Sequence, residues 1–462
     1  MIWFLLYLVA VELIGLALLP LSVRLFRPLA DRGIMLSKPL GILLVGYLCW
    51  LLGTLGMLRS QQATIILVAI ALGVAAWLTW GRECISWLAE HKRTIIAVEG
   101  VFLVAFAAAA LVRAYTPEIS GTEKPMDFAI LNALYRTDQF PAADPWMSGF
   151  SISYYYFGYL LLALVAKVAG VPAAVGYNLA VALVFALLLA GSYSLVFNLF
   201  SGLRPGWSLT RRLLLAIAAP LMVGLMGNLE IGLEVLAARG IGDSAFWSWV
   251  GVKGLQPVAD PQGWLPTTHW WWWRASRVIP TIKPDGITEF PYFSFILGDL
   301  HPHFTALPWA LLALGLSLAA LLGRGAKLDS GVPRPVEMPS TGENRDESSE
   351  WIEIVVPALA LGFLMVGNSW DFPTYTGLFW LSVLVPLGAK GWTRPVLLAK
   401  VKGLLLTSAL SLALYAPFFP GFSSQTKGIG LATDKTPWIS MVILFGAFLL
   451  VQAVFLLWKN WP

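Results

Sequence analysis

Three short polar segments interrupt an otherwise apolar chain, and they carry the side chains best suited to chemistry. The first polar segment comprises 121–127 with the stretch 144–157 behind it, the second comprises 289–303, and the third comprises 368–373. A carboxylate or an imidazole next to a hydrocarbon core is costly, so acids and histidines in such places are candidates for function.

The first polar segment offers a pair of carboxylates. Glu123 and Asp127 are four residues apart, and on a helix this spacing places both on one face. Such a pair can divide the work: Asp127 would act as a general base, while Glu123 orients it or helps to hold a cation. The structural alternative is that Asp127 lies in the first turn of a helix over 127–135, where the helix dipole favours an acid.

The second polar segment places Asp299, His301 and His303 within five residues. Two imidazoles and a carboxylate at this spacing suit an acid–base constellation, and they also suit two or three ligands of a metal ion. A divalent cation such as Mg or Mn is therefore one possible cofactor. Pro302 disfavours regular helical geometry between the two histidines. The alternative to a catalytic or metal site is that Asp299 caps the helix that follows and that both histidines lie at the membrane interface.

Aromatic clusters accompany the polar segments. Tyr154, Tyr155 and Tyr156 form one run, and 270–273 form a run of four tryptophans. Anchoring at the membrane interface is the first interpretation of both runs, and for the tryptophans it predicts a helix on the membrane surface. Stacking on a sugar ring, or a tyrosine hydrogen bond to a phosphate, is the alternative.

Four further side chains complete the set of candidates for substrate binding. Lys124 and Arg277 are cations that could neutralise a phosphate group. Asp144 stands in an Asp-Pro-Trp motif of the first polar segment. Asp371 belongs to the third segment, where capping of the helix that follows is an equally good interpretation.

Composition identifies the class of protein. The chain is 58% hydrophobic and 12% charged, whereas a soluble domain carries about 25% charge, so this is an integral membrane protein. The net charge is +5, but the sequence has no basic cluster accompanied by stacking aromatics, which argues against nucleic-acid binding. Neither a P-loop nor a Gly-x-Ser-x-Gly motif is present, which argues against ATP-driven transport and serine hydrolysis.

The apolar segments predict an all-α, polytopic membrane helix bundle. Twelve of them are long enough, or nearly so, to cross about 30 Å of hydrocarbon. They lie at 2–23, 40–57, 63–80, 94–113, 154–169, 174–200, 213–229, 304–323, 352–367, 374–388, 403–418 and 438–457.

The distribution of Lys and Arg predicts which segments cross. If the N-terminus lies outside and all twelve segments span, the basic residues after about residue 170 fall mostly on the outer side. If 154–169 is instead a re-entrant or interfacial helix, most basic residues fall inside, as the positive-inside rule requires. We therefore predict eleven spanning helices in the cell membrane. The loops 114–173 and 230–303 and the turn 368–373 then face outside and form one shared site.

Three regions follow along the chain. They are an N-terminal four-helix region, 1–113, a core region with both large external loops, 114–375, and C-terminal membrane helices, 376–462. The stretch 324–351 is rich in Pro, Ser and Gly and is predicted to be a flexible loop. Glu12 and Glu99 lie within helices, and the sequence names no partner for either.

The motifs of the polar segments, in this order, resemble the uncharacterised "YYY" membrane protein family of Chloroflexi and archaea. The resemblance rests on the motifs at 123–127, 144–146, 154–158, 289–295, 298–303 and 368–373. That family in turn looks like a distant branch of the GT-C superfamily of membrane glycosyltransferases, which use polyprenyl-phosphate-linked sugars. The likeness implies an acidic motif in an external loop, with helices of that loop lying along the membrane.

The resulting expectation is a membrane glycosyltransferase-like enzyme with its site at the external face. It would pass a sugar from a polyprenyl-phosphate-linked donor in the membrane lipid to a lipid, glycan or protein acceptor. Lys124 and Arg277 would neutralise the phosphate leaving group. The alternatives are a transporter or flippase for a lipid-linked or small polar solute, and a non-catalytic membrane assembly subunit. A transporter predicts acids near the bilayer midplane, whereas most acids here gather at one surface.

Overall fold

The structure is a computed structural model, and its regular secondary structure is helical in the part of the chain that it describes. The described residues are 1–261, 263–264, 266–267, 269–280, 286–324, 347–390, 393–423, 431 and 435–460. An isolated bridge between Ala143 and Ser151 is the extended pairing recorded there. The predicted all-α, polytopic membrane fold is thereby confirmed. Most of the predicted loop 324–351 lies outside the described residues.

The chain divides into two compact units. The first unit comprises Met1–Val223 and Gly298–Ser424, and the second comprises Gly224–Leu297 and Gln425–Pro462. The regions 1–113, 114–375 and 376–462 that the sequence suggests stay a prediction.

The first unit holds most of the long helices. In chain order, its helices before the second unit begins are α1 (Ile2–Leu25), α2 (Ser37–Thr54), α3 (Gln62–Glu90), α4 (Lys92–Tyr115), α5 (Lys124–Arg136), α6 (Phe157–Val168), α7 (Ala173–Leu203), α8 (Leu209–Ala216) and α9 (Ala218–Pro220). The second unit contributes α10 (Glu230–Ala238), α11 (Ser244–Val250) and α12 (Pro291–Leu297). The first unit resumes with α13 (Pro302–Thr305), α14 (Leu307–Arg324), α15 (Glu347–Gly367), α16 (Asp371–Lys390) and α17 (Arg394–Ala413), and α18 (Trp438–Asn460) belongs to the second.

Eight helices in the described residues are long and apolar enough to cross a membrane. They are α1, α2, α3, α4, α7, the run Pro302–Gly323, α17 and the run Trp438–Leu457. A ninth span results if Leu209–Leu225 and Glu230–Ala238 are counted together as one broken span. Of the eleven predicted spans, 213–229 falls on that broken pair, while 352–367 and 374–388 lie in α15 and α16. Those two helices form as expected but are not among the eight.

Two ends of the first unit are defined by polar contacts between helix termini. At the upper end, Arg113 in the last turn of α4 donates to Asn178 near the start of α7. At the lower end, Ser194 and Asn198 near the end of α7 donate to Asp31, between α1 and α2. Helix α7 therefore runs from one end of the unit to the other.

Helix α6 does not cross the first unit. Its twelve residues rise about 18 Å, well short of the roughly 30 Å of a bilayer core. Near its end, the Lys167 ammonium donates to the carbonyls of Ser60 and Thr137, of which Ser60 lies in the turn between α2 and α3. The next helix, α7, then begins at the upper end. The shortness of α6 suits the predicted re-entrant or interfacial character of 154–169, which stays a prediction, and ten of the twelve residues of α6 are buried.

A triad of charges joins three helices of the first unit. The ammonium of Lys38 lies 2.9 Å from a carboxylate oxygen of Glu12 and 2.9 Å from one of Glu99. These are the partners that the sequence could not name for the two membrane acids. Because apolar tails solvate apolar helix surfaces well, such polar contacts are an important source of specific helix packing in a membrane.

The second unit has a small core of its own. It consists of Ala237, Trp247, Val250, Val252, Leu255, Val278 and Ile443. Beside it, the tryptophan run forms a short 3-10 helix, Trp271–Ser276, where the sequence predicts a helix on the membrane surface. Glu234 and Arg274 form a bidentate ion pair with N–O distances of 2.5 and 2.8 Å.

The placement of α6 and α7 predicts opposite accessibility of two exposed positions. Ser120→Cys, after α4 at the upper end, and Ser208→Cys, after α7 at the lower end, should react with a membrane-impermeant maleimide from opposite sides of the membrane. Cys49 and Cys84 are buried, so the wild-type chain is the matched low-background control. Labelling of both variants from the same side would contradict the re-entrant path of α6.

Candidate functional site

Asp127 is a fully buried carboxylate at the start of α5. The side chain has an exposed fraction of 0% and lies in the first turn of the helix. The Tyr159 hydroxyl, in the first turn of α6, donates to Asp127 Oδ1 at 2.5 Å. Oδ2 has no hydrogen-bond partner among the described residues. The helix forms where the sequence predicts it, but it starts at Lys124 rather than at residue 127, since Pro125 favours its first turn.

His301 lies between the two carboxylates of the first polar segment. Its Nε2 is 2.9 Å from Glu123 Oε2, and its Nδ1 is 3.6 Å from Asp127 Oδ1. The Tyr154 hydroxyl lies 3.3 Å from the same Nε2. The three side chains Glu123, His301 and Asp127 therefore form a row, which we call the acid–histidine row.

Exposure rises steadily along the acid–histidine row. The side chain of Asp127 is 0% exposed, that of His301 is 23% exposed and that of Glu123 is 61% exposed. A substrate can reach Glu123 and the edge of His301, but it cannot contact Asp127. The expectation that Asp127 itself takes a proton from an acceptor therefore does not suit this arrangement. Asp127 instead lies behind the imidazole, with Oδ1 3.6 Å from Nδ1 of His301.

The row also sets the protonation of His301. Burial by itself lowers the pKa of the imidazole, but the charges of Asp127 and Glu123 outweigh burial, so the pKa of His301 is raised. Burial, and then the charge of Asp127, raises the pKa of Tyr159 well above its ordinary value. Tyr159 therefore stays protonated and keeps donating to Asp127. The result is an imidazole that holds a proton more tightly than a free histidine does.

Local sequence explains why His301 points at this place. His301 is the residue before α13, and Pro302 occupies the first helical position, where a missing N–H costs nothing. Asp299, expected as the cap, stands two residues earlier. It is 6% exposed and accepts a hydrogen bond of 3.0 Å from the Thr122 hydroxyl. The first and second polar segments are thus in direct contact.

Both the backbone conformation at position 298 and the neighbouring Arg113 side chain favour glycine there. Its φ of +79° lies in the left-handed region, and a Cβ there would be 2.5 Å from Arg113 Nη1. The Tyr177 hydroxyl donates to the Gly298 carbonyl at 3.0 Å. Arg113 is a site residue that the sequence analysis missed. The available signal was an arginine inside the last turn of an apolar, membrane-length helix.

The third polar segment adjoins the same end of the first unit. The hydroxyls of Tyr155 and Ser369 are 2.9 Å apart. Asn368 donates to Asp371 Oδ2 at 3.1 Å, and Asp371 lies in the first turn of α16 rather than before it. His303 lies beside His301, with ring centroids 5.6 Å apart and ring planes tilted by 51°.

Two candidates for substrate binding have structural partners instead. Tyr156 is buried, and its hydroxyl accepts a 3.1 Å hydrogen bond from Trp50 Nε1, so it packs in the core. Asp144 Oδ1 accepts from the backbone N–H groups of Trp146 and Met147, both at 2.8 Å, and thereby stabilises its own turn.

The two predicted cations lie in different units. Lys124 begins α5, and its pKa is lowered first by partial burial and then by the charge of Arg113. Arg277 belongs to the second unit, where its guanidinium lies 4.5 Å from the centre of the Trp273 ring and donates to Ser276. The two cations expected to act together are therefore not brought together within one unit.

The described residues contain no group of three or more His, Cys, Asp or Glu side chains arranged to hold a metal ion. Asp299, His301 and His303 are close in sequence. However, Asp299 accepts from Thr122, while His301 faces Glu123 and Asp127. These three side chains therefore do not supply the ligand set that their spacing suggests for Mg or Mn.

Comparison with known proteins gives one family. A family model described as "Uncharacterized membrane protein (DUF2298)" matches residues 44–461. No curated protein and no solved structure matches the chain. The match includes every residue of the acid–histidine row.

The raised pKa of His301 predicts a pH-dependent contribution to stability. The protonated imidazole stabilises the fold fully below its unfolded pKa of about 6.5, and this contribution is lost as the pH rises through the raised pKa of the folded state. His301→Gln should therefore lower the melting temperature more at pH 6 than at pH 9. The exposed His269→Gln is the control, and an equal decrement for His301→Gln at both pH values would contradict the assignment.

Gly298 and Gly121 provide a matched pair of substitutions. Both have a positive φ, but nothing lies within 4 Å of a Cβ at Gly121. Gly121→Ala should cost about 1–2 kcal/mol from backbone strain alone. Gly298→Ala adds displacement of Arg113 and should cost about 2–5 kcal/mol. Chemical denaturation of both variants measures the difference, and equal losses would show that the Arg113 contact is unimportant.

Proposed function

The chain belongs to the DUF2298 family of membrane proteins, and we propose that it acts as a glycosyltransferase of the membrane. It takes a sugar from a polyprenyl-phosphate-linked donor and passes it to a hydroxyl group of a lipid, glycan or protein acceptor at the outer face. The observation that carries this proposal is the acid–histidine row at one end of a membrane helix bundle.

The row suits removal of a proton from an acceptor hydroxyl. Glu123 is exposed and lies 2.9 Å from His301, so when the imidazole is neutral and Glu123 is ionised the pair can take the proton, which passes through the carboxylate and comes to rest on the imidazole. The acceptor oxygen then forms a bond to the anomeric carbon of the sugar, and the bond from that carbon to the phosphate oxygen breaks. The electron pair of the broken bond leaves with the lipid phosphate.

Asp127 has a positioning role in this reaction. It is buried and fixed by Tyr159, so its charge stays beside Nδ1 of His301 at 3.6 Å. That charge raises the proton affinity of the imidazole and thereby strengthens the base. A carboxylate behind an imidazole serves this purpose in many enzymes that use histidine as a base.

Lys124 is the cation of the first polar segment suited to the leaving phosphate. An ammonium group close to a developing negative charge lowers the barrier, provided that it is in place before the reaction. The outer location is supported by the distribution of Lys and Arg along the chain. The acidic groups at one end of the bundle favour chemistry at a surface over transport, in which acids near the midplane are expected.

The test is transfer by the purified, reconstituted protein. Polyprenyl-phosphate glucose, galactose and mannose with radiolabelled sugars are the donors, and membranes of the producing host supply acceptors. The wild-type protein should give labelled product and release polyprenyl phosphate, with a rate that rises as the pH increases through the pKa of His301. No product with any of the three donors would contradict the proposal.

Two variants separate the roles within the row. Glu123→Gln should lower kcat by roughly 10²–10⁴-fold because the exposed acceptor of the proton is lost. Asp127→Asn should lower kcat at least tenfold and move the rising limb of the pH profile to lower pH, because His301 loses a neighbouring charge. Asp138→Asn, an acid paired with Lys167, is the control. Loss of activity in Asp127→Asn without a shifted pH profile would refute its positioning role.

A further inference from the structure

A cleft of about 320 Å³ lies between the end of α4 and the start of α7. Most of its wall is apolar and includes Ala114, Pro117, Ala174 and Leu179. Its volume is at the small end of the range for ligand pockets, roughly 300–1,000 Å³. The cleft lies wholly within the first unit, and the acid–histidine row does not line it.

Arg113 is the charged side chain in the wall of this cleft. It is only 2% exposed, and its Nε and Nη2 donate to a single oxygen of Asn178 at 3.1 and 2.8 Å. Nη1 has a weak contact of 3.5 Å with the Thr116 hydroxyl. These partners are neutral, and they leave part of the capacity of a five-donor guanidinium unused.

No carboxylate among the described side chains forms an ion pair with Arg113. Asp299 and Glu118 attract it only over longer distances. A buried charge without a counter-charge in contact is costly. The helix dipole of α4 favours a cation in its last turn. However, the dipole does not account for an apolar cleft next to that cation.

We propose that the α4–α7 cleft binds a lipid phosphate with a single apolar chain, which lies in the cleft while the phosphate pairs with Arg113. A guanidinium fits a phosphate through two parallel hydrogen bonds. The last turn of a membrane-length helix lies at headgroup depth, where the phosphate of such a lipid belongs. Inorganic phosphate would leave the apolar wall uncovered, and a two-chain lipid would need a second cleft.

Lys124 supplies a second positive charge, although it does not line the cleft. After partial burial, the charge of Arg113 is the next cause that lowers the pKa of Lys124, and an anion between the two cations would relieve this repulsion. That the bound lipid is the sugar donor is an inference that rests on the proposed function. That the cleft binds a lipid phosphate does not depend on the proposed function.

Direct binding tests the inference on the purified full-length protein in nanodiscs. The probe is radiolabelled polyprenyl phosphate, and the matching polyprenol lacks only the phosphate. Wild-type protein should bind polyprenyl phosphate at least tenfold more tightly than polyprenol. Arg113→Gln should abolish that preference, while Arg113→Lys should retain part of it. Arg136→Gln, an exposed arginine in the last turn of α5, is the matched control and should bind as the wild type does.

A second variant tests the cleft without touching the charge. Ala174→Trp fills the apolar wall and should weaken binding of polyprenyl phosphate at least tenfold, and it decides the matter if Arg113→Gln does not fold. Equal binding of polyprenyl phosphate and polyprenol, or wild-type binding by both variants, would overturn the inference. Tighter binding of phosphatidic acid, or displacement of the probe by millimolar inorganic phosphate, would overturn the single-chain lipid as occupant.

Binding and transfer fail in distinguishable ways. If the wild-type protein binds polyprenyl phosphate through Arg113 but transfers no sugar, the lipid site stands and the glycosyltransferase proposal falls. If sugar is transferred by Arg113→Gln with an unchanged KM for the donor, the transferase stands and the Arg113 site falls.

Discussion

The burial of Asp127 is the constraint on which the upper end of the first unit depends. A carboxylate with no exposed surface must be compensated by the groups around it, because removal of a partner from a buried charge costs about 3–5 kcal/mol. Tyr159 from α6 and His301, just before α13, supply that compensation. The short helix α6 and the start of the 302–323 span are therefore positioned around one side chain of α5.

The same physical rule operates at the lower end and within the bundle. Asp31 is buried and accepts hydrogen bonds from Ser194 and Asn198, which fixes the end of α7 against the turn after α1. Lys38 joins Glu12 and Glu99 in the same manner. Apolar packing alone gives little preference for one helix arrangement over another in lipid, so these few polar contacts define which helices are neighbours.

The identity of the polar segments was predictable, but the roles of their residues were not. The sequence correctly placed Asp127 in a helix, but Glu123 is the residue that precedes α5 and not part of it. The pairing of His301 with both acids follows from no local pattern. The sequence singled out Arg277 and passed over Arg113, because it does not say which cation lies in the same unit as the acid–histidine row. Tyr156 and Asp144 were good candidates by residue type. However, the Tyr156 hydroxyl accepts a hydrogen bond from Trp50, and the Asp144 carboxylate accepts one from the backbone of its own turn.

The sequence by itself determined the class of fold and the polar segments, and it predicted that 154–169 turns back without crossing the membrane. Hydropathy and the placement of Lys and Arg are local properties, and the partitioning and orientation of each segment in the bilayer depend on them directly. Only the tertiary structure decided which acid is buried and which is exposed. Exposure in the acid–histidine row depends on side chains more than a hundred residues apart in the chain, since Glu123 and Asp127 meet His301 only when α5, α6 and α13 pack together. No local pattern in the sequence encodes that meeting.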